Sequence, residues 1–339
     1  MDSIQTIALI SSMEDVGGCY RQQKIYKTRV DPFVVLSEDE FKRKYRFSQE
    51  SARYIVNLVK AALSLDTRDC GTSPQMQVLI ALRCWGRSEV HDAENLNGDS
   101  QPTVSRICAR VARALAEHAA TMIKMPASRA EEEILMRNFG TIKNFPGVIC
   151  AVDCTHIKIK KTGGDLAQYY INRKGFYSLN LQVVCDAHLK IRDIIARWRG
   201  STHDCRIFNE CALKQQFEDG EFRGCLLGDS GYKLLPYLFT PAAHIGTRNT
   251  IERCFGVWKQ RFRCLLHGIP VSLQNAKTLI VVLAVLHNIA LEMNEAIPEI
   301  TPARDEPLEV GNQQEGSVLN QQHERRANCI LRSFIQNNF

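Results

Sequence analysis

Asp153 interrupts the apolar run GVICAVDCTHIKIK, and three more acids hold notable places: Asp204 at a helix start, Asp229 at a strand end and Glu252 within a helix. A lone carboxylate inside an apolar strand is costly to bury unless a cation or hydrogen bonds compensate it. Hard divalent ions such as Mg2+ or Mn2+ take oxygen ligands, commonly one or two carboxylates with phosphate oxygens. Two such ions about 4 Å apart activate the attacking water and stabilise the leaving oxygen in phosphodiester cleavage. Adjacent strand ends and a nearby helix suit carboxylates to that geometry, so all four acids are candidate metal ligands. Plainer alternatives stand beside them: an ion pair with Lys158 or Lys160 for Asp153, a helix cap for Asp204, a glycine turn for Asp229, and an i−4 pair with Arg248 for Glu252. His156, His203, Lys158 and Lys160 flank the acids, to touch phosphates or to form a polar rim. Gly228–Asp229–Ser230–Gly231 is not a G-x-S-x-G elbow, and no P-loop or G-x-G-x-x-G occurs.

The elements that must position these acids are legible in outline. Residues 1–36 lack clear periodicity and read as a leader of mixed order. From Ser37 the pattern is helical: Ser37 and Glu40 have capping-box spacing, Ser48 can cap a second helix carrying Ile55, Leu58 and Val59 on one face, and Pro74 opens a third. A short helix (Glu89 to Leu96), a turn at Asn97–Gly98–Asp99 and a longer helix capped by Ser100 form a helix-turn-helix pattern. In that longer helix Val104, Ile107, Val111 and Leu115 make the buried stripe, leaving Thr103, Arg106, Arg110 and Arg113 to meet bases or phosphates, or simply water. After Pro146 the texture becomes β-rich: GVICAVDCTHIKIK, SLNLQVVCDAHLKI and RDIIARWRG read as three strands. THDCRIFNECALKQQF reads as one helix, FRGCLLGDSGY as a strand ending at Asp229, and RNTIERCFGVWKQRF and NAKTLIVVLAVLHNIALEMN as helices. Strands followed by covering helices predict an α/β fold with a sheet flanked by helices, compatible with an RNase H-like core.

The 339 residues carry 43 Lys+Arg against 37 Asp+Glu, a net charge of +6, spread unevenly. Glu295 to Arg326 holds seven acids and three bases, so the remainder carries +10, which fits either a polyanion partner or a solubilising surface. The 13 cysteines include no CxxC pair, which argues for buried thiols rather than a zinc or disulfide framework. The longest apolar run, Leu279 to Leu286, is far short of the ~20 residues a bilayer span needs, and the N-terminus lacks the basic start of a secretory signal.

Several stretches in fixed order resemble the PIF/Harbinger-type DDE transposases, and in particular the Harbinger transposase-derived nucleases: KYRFSQES (44–51), SQPTVSRI (100–107), FPGVICAVDCTHIKI (145–159), YYINRKGFYSLNLQVVCD (169–186), WRGSTHDCRIF (198–208), GDSGYKLLPYLFTP (228–241), IERCFGVWKQRFRCL (251–265) and VLHNIALE (285–292). The resemblance implies an RNase H-like endonuclease domain at 145–295, preceded by an all-α, helix-turn-helix-containing DNA-binding region at 37–144 and followed by an acidic, polar tail at 296–339. It implies Asp153 as the first triad acid and Glu252 as the helix-borne glutamate. The middle acid stays between Asp204 and Asp229: strand-end placement favours Asp229, with Asp204 as a further metal ligand. Mg2+ or Mn2+ as cofactor and DNA as substrate follow, with Thr103, Arg106, Arg110, Lys158 and Lys160 as candidate DNA contacts. A separate Myb/SANT-like partner and a nuclear, also cytoplasmic, location are implied as well, with no membrane. The alternative is a domesticated DNA-binding or adaptor protein that keeps the fold without the chemistry. Two departures bear on the choice. Cys154 stands where the family has Gly, and only 23 positions separate Asp229 from Glu252, where relatives carry a longer insert.

Overall fold

The computed structural model describes residues 30–64, 72–87, 101–143, 147–165, 167–229, 231–240 and 248–298. The leader up to residue 29, the short helix and turn expected between Glu89 and Asp99, the break at Pro146 and the tail beyond 298 lie outside the described residues.

Helix α1 (Glu38–Tyr45) begins on the expected capping box, with Ser37 and Glu40 exchanging side-chain and backbone bonds. Helix α2 (Gln49–Ser64) follows, its first turn held by the Ser48 hydroxyl, which accepts from the Ser51 amide at 3.1 Å. Helix α3 (Pro74–Arg87) is buried from Met76 to Gly86. The sequence pattern splits this helix into core and surface sides, with Arg83 at the divide, but neighbours cover every side and Arg83 is itself buried. Helix α4 (Gln101–Ala116) lays Val104, Ile107, Val111 and Leu115 into the core as its periodicity predicts.

After α5 (Arg129–Lys143) the chain builds a five-stranded mixed sheet: β1 (Val148–Lys158), β2 (Ser178–Cys185), β3 (Ile191–Arg199), β4 (Cys225–Leu227) and β5 (Leu238–Phe239), in the order β3-β2-β1-β4-β5. β2 runs antiparallel to both β1 and β3, and β4 pairs parallel to β1. The single helix expected between β3 and β4 is two, α6 (Asp204–Asn209) and α7 (Ala212–Glu218), because Cys211 breaks away to cap the second, accepting from the Lys214 amide. Helices α8 (Arg248–Arg261) and α9 (Leu273–Glu292) complete the described chain.

Each face of the sheet has its own core. Ala151, Ile157, Leu181 and Val183 pack with α3, α4, α8 and α9. Cys150, Val152, Val184 and Leu226 pack with Leu135 of α5, Phe208 of α6 and Leu213 of α7. Alternation along β1 therefore decides which helices each side chain meets. Helix α9 is long and apolar enough to cross a membrane by length and composition. Its residues from Leu279 to Ala290 are almost all buried against the rest of the fold.

Two adjacent polar residues of α9 lock it to the β2–β3 turn. The Asn288 side chain accepts from the Ile191 amide at 2.9 Å and donates to the carbonyls of Ile191 and Met122 at 2.8 and 3.0 Å. His287 Nε2 lies 2.9 Å from the carbonyl of Leu189, a residue held at φ 67°. Asn288→Ala would strand a buried amide and carbonyl, so we expect a loss of about 2–4 kcal/mol in unfolding free energy by urea titration, against about 0.5 or less for exposed Lys60→Ala.

Candidate active site

Alternation on β1 turns Asp153 and Thr155 toward the α8 face, and Cys154 and His156 toward the α6 face. Lys158 and Lys160 lie at odd spacings from Asp153, on the opposite side, and Asp153 makes no ion pair among the described residues. The expected lysine partners are thus out of register with it. Its carboxylate accepts instead from the Cys154 amide at 2.7 Å.

Asp229 arrives by strand pairing. Ala151 is level with Leu227 at the last pair of the parallel β1–β4 ladder; Asp153 lies two residues further along β1, and Asp229 two residues past the end of β4. The glycine-turn alternative also holds: Asp229 Oδ1 accepts from the Gly231 amide at 2.6 Å. A Cβ on Gly231 would lie 2.8 Å from that oxygen, so glycine lets the turn close.

Glu252 sits near the start of α8. Seven residues on, along the same helical face, Lys259 Nζ donates to Thr155 Oγ1 at 2.7 Å and pins α8 along β1. Ile251, Phe255, Trp258 and Phe262 form the buried stripe that the sequence predicts. The α8 helix therefore reaches the strand despite the short span from Asp229, although residues 241–247 of that span lie outside the described residues.

Asp204 approaches from the other face. It is the first residue of α6 and not its cap, which is His203. Asn180 of β2 donates to Asp204 Oδ1 and to the Thr202 carbonyl, both at 2.8 Å. Beneath β1, Cys154 Sγ and Tyr232 Oη lie 3.3 Å apart, and burial pushes both their protons to higher pKa.

The four acids meet electrostatically. Burial pushes the Asp153 carboxyl up to about 7, the Cys154 amide works against this, and Asp229, Asp204 and Glu252 each raise it further. This is an oxygen-rich donor set, the kind that suits a hard divalent cation. As they stand, no three His, Cys, Asp or Glu side chains among the described residues are close enough together to hold a metal ion.

Cations ring the acids. Burial lowers the pKa of His156, Asp204 opposes that, and Lys259, Lys174 and Arg173 lower it further. His156 Nδ1 lies 3.1 Å from Ser178 Oγ, and Arg173 donates to the imidazole of His203 at 2.7 Å. Sequence reasoning passed over Arg173, Lys174, Lys259, Asn180 and Tyr232 as site residues. The only available signal was that the first two sit together in the motif YYINRKGF and the third in ERCFGVWKQRF. Of the proposed DNA contacts, Lys158 and Lys160 are exposed. Arg106 donates to Thr103 on the same helix, while Arg110 is drawn toward α3 by Gln77, 3.3 Å away.

Residues 152–288 match the family described as DDE superfamily endonuclease. That span contains all four acids. A human relative, named "Putative nuclease HARBI1", is 36% identical over 269 residues, covering 73% of this chain and 76% of its own. A rat relative of the same name is 34% identical over 313 residues, covering 86% and 89%. The chain belongs to the Harbinger transposase-derived nuclease family. An Arabidopsis thaliana protein named "Protein ALP1-like" is a more distant relative, 25% identical over 311 residues and covering 80% of this chain and 74% of its own. No solved structure matches the chain. In this family member, then, an endonuclease-type domain on a mixed five-stranded sheet gathers acids from β1, the end of β4, α6 and α8.

Because the folded-state pKa of Asp153 stands above its ordinary 3.8, the folded state bears a charging penalty that is absent below that pH and full above about 7. Asp153→Asn keeps the shape and the acceptor oxygen but removes the charge. In metal-free buffer we expect it to raise the thermal midpoint at pH 8.5, by about 2–4 °C for each kcal/mol relieved, and to leave the midpoint nearly unchanged at pH 4. Differential scanning fluorimetry at the two pH values measures this.

Proposed function

We propose that the chain is a DNA endonuclease with an RNase H-like core that hydrolyses phosphodiester bonds. Asp153, Asp229 and Glu252 serve as its triad, with Asp204 as an additional acid. The observation that carries the proposal is the meeting of these acids around a half-buried Asp153 whose proton is held to near neutrality. Together they would hold Mg2+ or Mn2+, which when bound lowers the pKa of the attacking water and neutralises charge on the phosphate. The chain's own residues position and balance charge. Asp153 gives up its proton as positive charge enters the site. Lys259 fixes α8 so that Glu252 stays over the strand, and Asn180 orients Asp204. His156, its pKa lowered chiefly by burial, is a hydrogen-bonding group beside them. The position of Asp229 just past the end of β4, the strand that pairs parallel to β1, favours it over Asp204 as the middle acid. The helix-turn-helix segment with Thr103, Arg106 and Arg110, the exposed Lys158 and Lys160, a Myb/SANT-like partner and a nuclear site of action belong to the same reading, on the strength of the family resemblance.

Supercoiled-plasmid nicking in Mg2+ or Mn2+ tests it. Asp153→Ala and Asp229→Ala are each expected to reduce nicking at least 100-fold, and Asp204→Ala about 10–100-fold, the range of a supporting residue. Equal nicking by wild type and Asp153→Ala would sink the assignment.

A second reading, a catalytically silent DNA-binding or adaptor protein, draws on the short span of 23 positions from Asp229 to Glu252. Titration calorimetry with Mn2+ separates the two. A saturable site lost in Asp153→Ala supports the nuclease, and no saturable heat supports the adaptor.

A further inference from the structure

Beside the acids, residues 167–177 form a small, rigid platform. Ala167–Tyr170 is a 3-10 turn, and Ile171 and Tyr177 then bridge as an antiparallel pair. Between them, buried Asn172 organises the tip: its side-chain oxygen accepts from the amides of Lys174 and Phe176 at 3.0 and 3.3 Å. Its carbonyl accepts from Gly175, whose φ of 82° only glycine adopts easily. Arg173 and Lys174 are thereby presented, exposed, on a preordered turn.

The platform is tied to the site. The Ser201 amide donates to the Tyr169 carbonyl at 3.1 Å, three residues before Asp204. Gly200 has no room for a Cβ against Ser178 and the Tyr170 carbonyl, so the turn packs directly on the sheet. Arg173 bonds His203, the residue before Asp204. On this base Tyr169 stands 45% exposed, with the Arg199 guanidinium 5.2 Å from its ring centre.

We propose that Tyr169, Arg173 and Lys174 form a subsite for an unpaired nucleotide adjoining the scissile phosphate, so that the substrate is DNA with a single-stranded or frayed segment at the cut. An exposed ring backed by a cation, beside two further cations on a rigid turn, is the combination that holds single strands: the ring stacks on any base, and the cations follow the phosphates. Fully paired DNA keeps its bases stacked inside the duplex and offers Tyr169 nothing. The proposal rests on the nuclease reading, since the acids define which phosphate is adjacent.

Binding measured on the whole chain tests it without cleavage. In the Asp153→Asn background, fluorescence anisotropy compares a blunt duplex with the same duplex bearing a single-stranded overhang. The parent should prefer the overhang, and Tyr169→Ala should weaken overhang binding about tenfold while leaving the blunt duplex unchanged. Tyr169→Phe, which keeps the ring, should bind like the parent. Arg173→Ala and Lys174→Ala should weaken both DNAs and flatten the slope of log affinity against log salt by roughly 0.7–0.9 each. Unchanged overhang preference in Tyr169→Ala, or a Phe variant as weak as the Ala variant, overturns the subsite. Plasmid nicking by the otherwise wild-type chain reports separately. Nicking with no Tyr169-dependent preference leaves the nuclease standing without the subsite, and a Tyr169-dependent preference without nicking does the reverse.

Discussion

Like charges gathered at one end of a sheet repel, and the rest of this fold is arranged to hold them there. Asp153 is half-buried among acids from three other elements, so its ionised form is disfavoured both by the lost water and by its neighbours. Such a cluster persists only if the backbone beneath it cannot relax. The constraint is met by placing Asp153 on β1, the middle strand, paired with Val183 of β2 and two residues past the last β1–β4 pair. The core helix α9 then clamps the far end of the sheet through His287 and Asn288.

The anatomy of that cluster was only partly legible in the sequence. Asp153 was conspicuous because a carboxylate within an apolar strand contradicts its surroundings. Glu252 lay on a helix whose apolar stripe was plain. Which acid follows the strand that pairs with β1 could not be read, because the parallel β1–β4 pairing joins residues some 75 positions apart and leaves no local mark. The basic tip at Arg173–Lys174 was hidden for a related reason: its meaning comes from Gly200 and His203, which fold back beside it. Helix α3 misled in the other direction, since periodicity assumes a wet side and α3 has none.

The family comparison and the geometry bear on different questions. Kinship establishes which fold and motif order the chain inherits. The local chemistry adds particulars of this chain, with Cys154 facing Tyr232 under the central strand and Glu252 of α8 raising the pKa of Asp153.

One contact at the end of the described chain has a practical side. Asn294, at φ 53°, turns the chain out of α9, so that the Glu295 amide reaches back to the Ala290 carbonyl. The Glu295 carboxylate accepts from the Ser48 amide at 2.7 Å, and Arg261 donates to the Ala296 carbonyl at 2.9 Å. By composition Glu295 looks like the first charge of the acidic tail, yet it holds the Ser48 amide just ahead of α2. Anyone trimming the tail for expression or crystallisation should cut after Ala296, because a stop before Glu295 would strip the Ser48 amide of its partner nearly 250 positions away.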